Sequence, residues 1–152
     1  MAISSISSTA SANYYTKAAL AGPVDINTAL SALKVNPRIK VSIKDTSANI
    51  SNNLETLNKY VNNINVAGIE QTDPTSVMEV SATQLAKFTT LLGKFSTNYK
   101  INVSNVAASS VTSMDGNLHV NNFSVTDTSL NISASLDNIK NKIAKLDKVT
   151  VS

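Results

Sequence analysis

The sequence predicts an α/β protein: a repetitive, solenoid-like stack of short strands and helices on a mainly parallel sheet, with one hairpin. Three observations carry this expectation. The phrase SIKDTSANISNNL at Ser42 to Leu54 returns as SVTDTSLNISASL at Ser124 to Leu136, with eight of thirteen positions identical. Such self-similarity means that one supersecondary unit is used more than once. Segments with period-two alternation take turns with segments of helical period along the chain. Strands joined through helices favour parallel pairing, because a parallel connection needs a crossover of about a dozen residues or more.

Residues 1–22 are rich in Ser and Ala and end at Gly22-Pro23, a pair that punctuates the chain. They are expected to form a flexible N-terminal arm that orders on assembly, with residues 23–152 as one repeat-containing α/β domain. Within the arm, Ile3, Ile6, Tyr14, Tyr15 and Leu20 are the candidate contacts with a neighbouring subunit, since paired tyrosines make effective anchors.

The domain then follows element by element. Ile26, Leu30 and Leu33 recur at spacings of four and three behind Asp25, a helix start, and Asn36-Pro37 closes that helix. Ile39, Val41 and Ile43 alternate with polar residues as a strand covered on one face. Asp45 and Thr46 are candidate caps of the next helix, whose buried stripe is Ile50, Leu54, Leu57 and Val61. Ile64, Val66 and Ile69 are extended, Asp73-Pro74 reads as a turn, and Val77 to Val80 as a strand.

Ser81 and Gln84 have capping-box spacing ahead of a helix carrying Leu85, Phe88, Leu91 and Leu92, with Gly93 near its end. Ile101, Val103 and Val106 form a strand. Met114-Asp115-Gly116-Asn117 is expected to be the hairpin turn between extended segments around Val111 and from Leu118 to Val125. Asp127 and Thr128 then cap a helix carrying Ile132, Leu136, Ile139 and Ile143. Leu146, Val149 and Val151 make a last strand, whose edge something must cover, so Val149 and Val151 join the candidate assembly surface. Ile26, Leu30 and Leu33 also precede Ile50, Leu54 and Leu57 by 24 residues, which extends the repeat toward four related half-units.

Composition narrows the function classes. Charged residues are only 15% of the chain, while Ser, Thr and Asn supply more than a third. A surface solvated by hydroxyls and amides suits secreted and surface-exposed bacterial proteins. The net charge of +3 is spread over dispersed lysines, not gathered into a basic stripe with aromatics, so nucleic acid is not an expected partner. No apolar run reaches the length of a membrane span, and the first residues lack the basic and apolar regions of a cleaved signal. Without cysteine there are neither disulfides nor thiolate metal sites.

The phrases DTSANISNNLETL and DTSLNISASLDNI, with VSATQLAKFTTLL, resemble a repeat of the form D-T-x-x-N-I-x-x-x-L-x-x-L found in large bacterial surface and secreted proteins. The resemblance covers roughly Val41 to Leu92 and Phe123 to Val151. Proteins carrying such repeats are similar to adhesins and surface-layer components, and the resemblance implies an extracellular structural role. This chain departs from them in being short, with two full copies at most, and in lacking glycine- and aspartate-rich calcium nonapeptides.

Catalytic patterns are weak. His119 is the only histidine, with no orienting partner nearby in sequence, and Asp45 and Asp127 occupy equivalent repeat positions, as caps do and catalytic pairs seldom do. No phosphate-binding, dinucleotide or EF-hand pattern occurs. The expectation is therefore a non-enzymatic structural subunit of an extracellular filament, surface layer or biofilm fibre, without cofactor. Its expected partner is itself, as a head-to-tail homopolymer, through the arm or edge strands. The alternative is a monomeric adhesin module that binds cell-surface glycan.

Overall fold

The computed structural model describes residues 22–61, 65–96, 98–142 and 144–152. These comprise an α/β protein whose strand pairs are all parallel among the described residues. Residues 23–152, expected as one domain, divide into two compact units, one up to Thr72 together with 90–97 and the other comprising 73–89 and 98–152. The assembly candidates Ile3, Ile6, Tyr14, Tyr15 and Leu20 lie outside the described residues.

In the first unit, helix α1 (Ile26–Val35) begins at Asp25, whose carboxylate accepts from the amides of Asn27 and Thr28. Strand β1 (Val41–Asp45) runs into helix α2 (Ser47–Val61), and strand β2 (Val66–Gln71) returns parallel to β1. Short extended pieces flank this pair on both sides: Val24 bridges to Ile43, and Phe95 bridges to Ile69. The helical stripe is buried as its spacing requires, with Ile50, Leu54 and Leu57 each at most 2% exposed. Ile26, Leu33, Val41, Ile43 and Ile69 are likewise buried.

Only five residues separate β2 from strand β3 (Val77–Ser81), too few for a parallel return, and β3 starts a second sheet. The turn at Asp73-Pro74 is closed by the Ser76 amide donating to the Asp73 carbonyl. In the second unit, β3 is followed by helix α3 (Ala82–Lys87), and strand β4 (Lys100–Val106) then pairs with β3. A short 3-10 turn (Ala108–Ser110) and helix α5 (Val111–Gly116) lead to strand β5 (Val120–Asp127); helix α4 (Thr89–Leu92) precedes them in the chain and, from residue 90 on, belongs to the first unit. Helices α6 (Ser129–Ala134) and α7 (Leu136–Lys140) lead to strand β6 (Leu146–Val151). The sheet order is β3-β4-β5-β6, so each strand lies beside its successor. Met78, Val80, Ile101, Val103, Phe123 and Val125 fill its covered face.

Three expectations are corrected. The Asp115-Gly116 hairpin is absent: both residues lie in α5, Gly116 does not adopt the left-handed backbone such a turn needs, and β4 and β5 are parallel. A two-residue turn joins only antiparallel strands, so the pairing direction overrides the local turn signal. The helix expected over Leu85 to Leu92 breaks at Phe88, where the Thr89 hydroxyl turns back to the Ala86 carbonyl at 3.0 Å. The helix after Asp127 breaks at Ser135, while its counterpart α2 runs unbroken.

Candidate functional site

The most ordered polar chemistry sits where a strand gives way to a helix, and it occurs twice. At the end of β1, Asp45 Oδ2 accepts the Ile26 amide at 2.9 Å, while Oδ1 accepts the Thr46 amide at 2.7 Å and the Asn49 side-chain amide at 2.8 Å. At the end of β5, 82 residues later, Asp127 Oδ2 accepts the Ala108 amide at 3.0 Å, while Oδ1 accepts Thr128 at 2.8 Å and the Asn131 side chain at 2.7 Å. Both carboxylates reach back 19 residues to the first residue of the preceding helical turn.

The roles expected of these residues therefore separate. Thr46 and Thr128 hold the helix starts, their hydroxyls accepting from the amides of Asn49 at 3.2 Å and Asn131 at 3.3 Å. The two aspartates do not cap the helices that follow them. Each satisfies an otherwise free amide of the helical turn before it and so ties successive turns of chain together. Asn49 and Asn131, which are not among the expected caps, orient those carboxylates; their identity in both copies of the phrase was the signal. Ser81 and Gln84 make the reciprocal capping box: the Ser81 hydroxyl accepts from Gln84 at 3.1 Å, and the Gln84 side chain accepts from the Ser81 amide at 2.9 Å.

The equivalence extends to the backbone. Val24 pairs with Ile43 as Val106 pairs with Val125, and both β1–β2 and β5–β6 shift register after their first pair. Thr72 donates to the Asp45 carbonyl at 2.9 Å, and Ser152 to the Asp127 carbonyl at 3.0 Å. The carboxyl groups respond to these surroundings. Burial works against ionisation of Asp45, but the bonds from Ile26, Asn49 and Thr46 outweigh it and hold the group below the usual aspartate value. The Asn131 amide, followed by the Ala108 and Thr128 amides, lowers Asp127.

Copies that share their polar clamp differ in cover. Ile50 and Leu54 are 0% and 2% exposed, whereas Leu136, the counterpart of Leu54, is 56% exposed. On the last strand, Val149 and Val151 are 40% and 62% exposed, and β6 is the end strand of its sheet.

On the solvent face of the same sheet a polar row crosses three strands. The Asn121 side chain donates to Asn102 at 3.1 Å, and Asn102 to the Glu79 carboxylate at 2.7 Å. A shallow depression of about 210 Å³ lies over Glu79 and Asn102 of this row, lined also by Asn122, Ser124 and Asp147. His119 stacks on Tyr99 with ring centroids 4.0 Å apart, and its Nδ1 lies 3.1 Å from the Tyr99 carbonyl. Burial pushes the Tyr99 phenol up. Among the described residues this imidazole meets a ring and a carbonyl, not the carboxylate that orients a catalytic base. Among the described residues no cluster of three His, Asp or Glu side chains is placed to hold a metal ion, and no helix is long and apolar enough to cross a membrane.

The chain matches none of the protein-family models, curated proteins or solved structures with which it was compared.

Proposed function

We propose that this protein is a non-enzymatic structural subunit of an extracellular bacterial assembly, such as a filament, surface layer or biofilm fibre, built on a solenoid-like stack of strand–helix turns. The observation that carries the reading is the duplicated Asp–Thr–Asn clamp. In both copies the aspartate carboxylate, oriented by the asparagine, joins one turn of chain to the next. A stack of this kind buries its core between neighbouring turns and needs a cover at its ends, which is the property an assembling subunit exploits. The exposed valines of β6 support the edge-strand form of assembly. The arm of residues 1–22 is the second proposed connector, a heterologous contact that would propagate head to tail into a homopolymer.

A second reading, a monomeric adhesin or glycan-binding module, is favoured by the Glu79–Asn102–Asn121 row, because planar amides and carboxylates are suited to the hydroxyl groups of a sugar. Negative-stain electron microscopy of the full chain and of a variant lacking residues 1–22 separates the two. Ordered filaments or sheets that depend on the arm are expected. Monodisperse particles from both samples would overturn the assembling subunit and favour the glycan-binding module.

A further inference from the structure

We infer that the outer edge of β6 pairs antiparallel with the β6 edge of a second copy of this chain across a two-fold axis, with Val149 opposite the partner's Val151 and Thr150 opposite the partner's Thr150. The inference rests on the structural-subunit reading and names the contact through which that subunit first associates.

Among the described residues no strand lies beyond β6, and the backbone of that edge is oriented outward. Val149 and Val151 register with Val125 and Asp127 on β5, and the Ser152 amide points into the sheet toward the Asp127 carbonyl. Backbone groups alternate in direction along a strand, so the amides and carbonyls of Val149 and Val151 face away from β5. The first unit shows that an edge in this position takes up a further extended segment, there a parallel one from the same chain. Ile69 holds the same register against Ile43 that Val149 holds against Val125. There the Ile69 amide donates to the Lys94 carbonyl and the Ile69 carbonyl accepts from Ser96, both at 2.9 Å, and Ile69 is 1% exposed. Val149, with no strand beyond it among the described residues, is 40% exposed.

The strand's own sequence selects a second copy and a register. Antiparallel pairing about a two-fold axis normal to the sheet places residues of the same face opposite one another. Centring the pair on Lys148 would set two ammonium groups face to face, and centring it on Val149 would place Asp147 against Val151. Centring it on Thr150 sets Val149 against Val151 twice on the core side and Thr against Thr on the solvent side, pairs that stabilise antiparallel sheets. In that register the outward amides and carbonyls of Val149 and Val151 form the two hydrogen-bonded pairs, and Thr150 becomes the close, non-bonded pair between them.

The absence of cysteine makes the test direct. Opposed Cα atoms in a non-bonded pair lie about 4.5 Å apart, within the disulfide range. Thr150→Cys in the full chain should therefore run mainly as a covalent dimer after mild oxidation, whereas Lys148→Cys and Thr126→Cys should stay monomeric under reducing-agent-free electrophoresis. Val149→Lys with Val151→Lys, both at exposed positions, should reduce the smallest sedimenting species of the full chain from dimer to monomer while leaving the circular dichroism spectrum unchanged. A wild-type dimer that Thr150→Cys fails to cross-link would overturn the two-fold pairing. A double lysine variant whose smallest species is still the dimer would overturn the β6 contact and leave the structural-subunit reading standing. A wild-type chain that stays monomeric at every concentration and forms no assemblies overturns both.

Discussion

At the scale of single residues, the repeated aspartate is where sequence, geometry and titration meet. Asp45 is buried and its carboxylate accepts three hydrogen bonds, one of them from the buried Ile26 amide. Asp45→Ala leaves that amide without an acceptor, and the expected loss is about 1–3 kcal/mol, read as a lower urea midpoint with an unchanged slope. Asp127→Ala, at a half-buried position, should lower the midpoint less. The pH dependence follows from the same bonds. The hydrogen bonds that Asp25, Asp45 and Asp127 accept in the folded chain hold all three carboxyls below the ordinary aspartate value, so the folded state binds fewer protons than the unfolded state in that range. Their contribution is complete above the unfolded aspartate pKa of about 3.9 and is lost as the pH falls through the folded values. Urea midpoints should therefore be level near neutrality and drop below about pH 4, with a shallower drop in Asp45→Asn.

Among the elements, the informative case is the segment that changes identity between local signal and fold. Met114-Asp115-Gly116-Asn117 carries a strong hairpin pattern, yet Val111–Gly116 is a helix whose last turn receives the Asn117 amide. A Cβ at Gly116 meets nothing within 4 Å, and its backbone is not left-handed. Gly116→Ala should therefore stabilise the protein by up to about 1 kcal/mol, the difference in helix propensity, in thermal or urea unfolding. A type I′ turn would give the opposite sign, because alanine tolerates positive φ poorly. Left-handed backbone is used elsewhere: Asn105, at φ 57°, lies inside the register shift between Val103 and Val106, and asparagine is a residue that accepts it.

For the whole molecule, the two proposed connectors have different symmetries and so different consequences. A two-fold β6 contact uses the same patch on both copies and closes on itself, whereas an arm reaching a different surface of its neighbour propagates. The chain lacking residues 1–22 should accordingly stop at the dimer, seen as a single concentration-dependent boundary in sedimentation velocity, while the full chain continues to larger species. Sedimentation of the shortened chain beyond a dimer would show that the arm is not the second connector.

Much of this fold is legible in the residues. The 3.6-residue stripes at Ile26 to Leu33 and Ile50 to Val61, the alternation around Val41 and Val103, and the capping box at Ser81 are local signals, and local hydrogen bonds and side-chain periodicity realise them directly. The repeated Asp-Thr-x-x-Asn phrase likewise marked the two strand-to-helix junctions from sequence alone. What its aspartates do was not legible, because their acceptor sites are filled by an amide 19 residues earlier, a partner that only the stacking of one strand beside the next brings within reach. The helix at Asp115-Gly116 was decided in the same way, by a parallel neighbour that no tight turn can serve. Equivalent residues end with different exposure, Leu54 at 2% and Leu136 at 56%, because apolar periodicity selects the face that a helix offers, while the tertiary structure decides whether another layer lies against it.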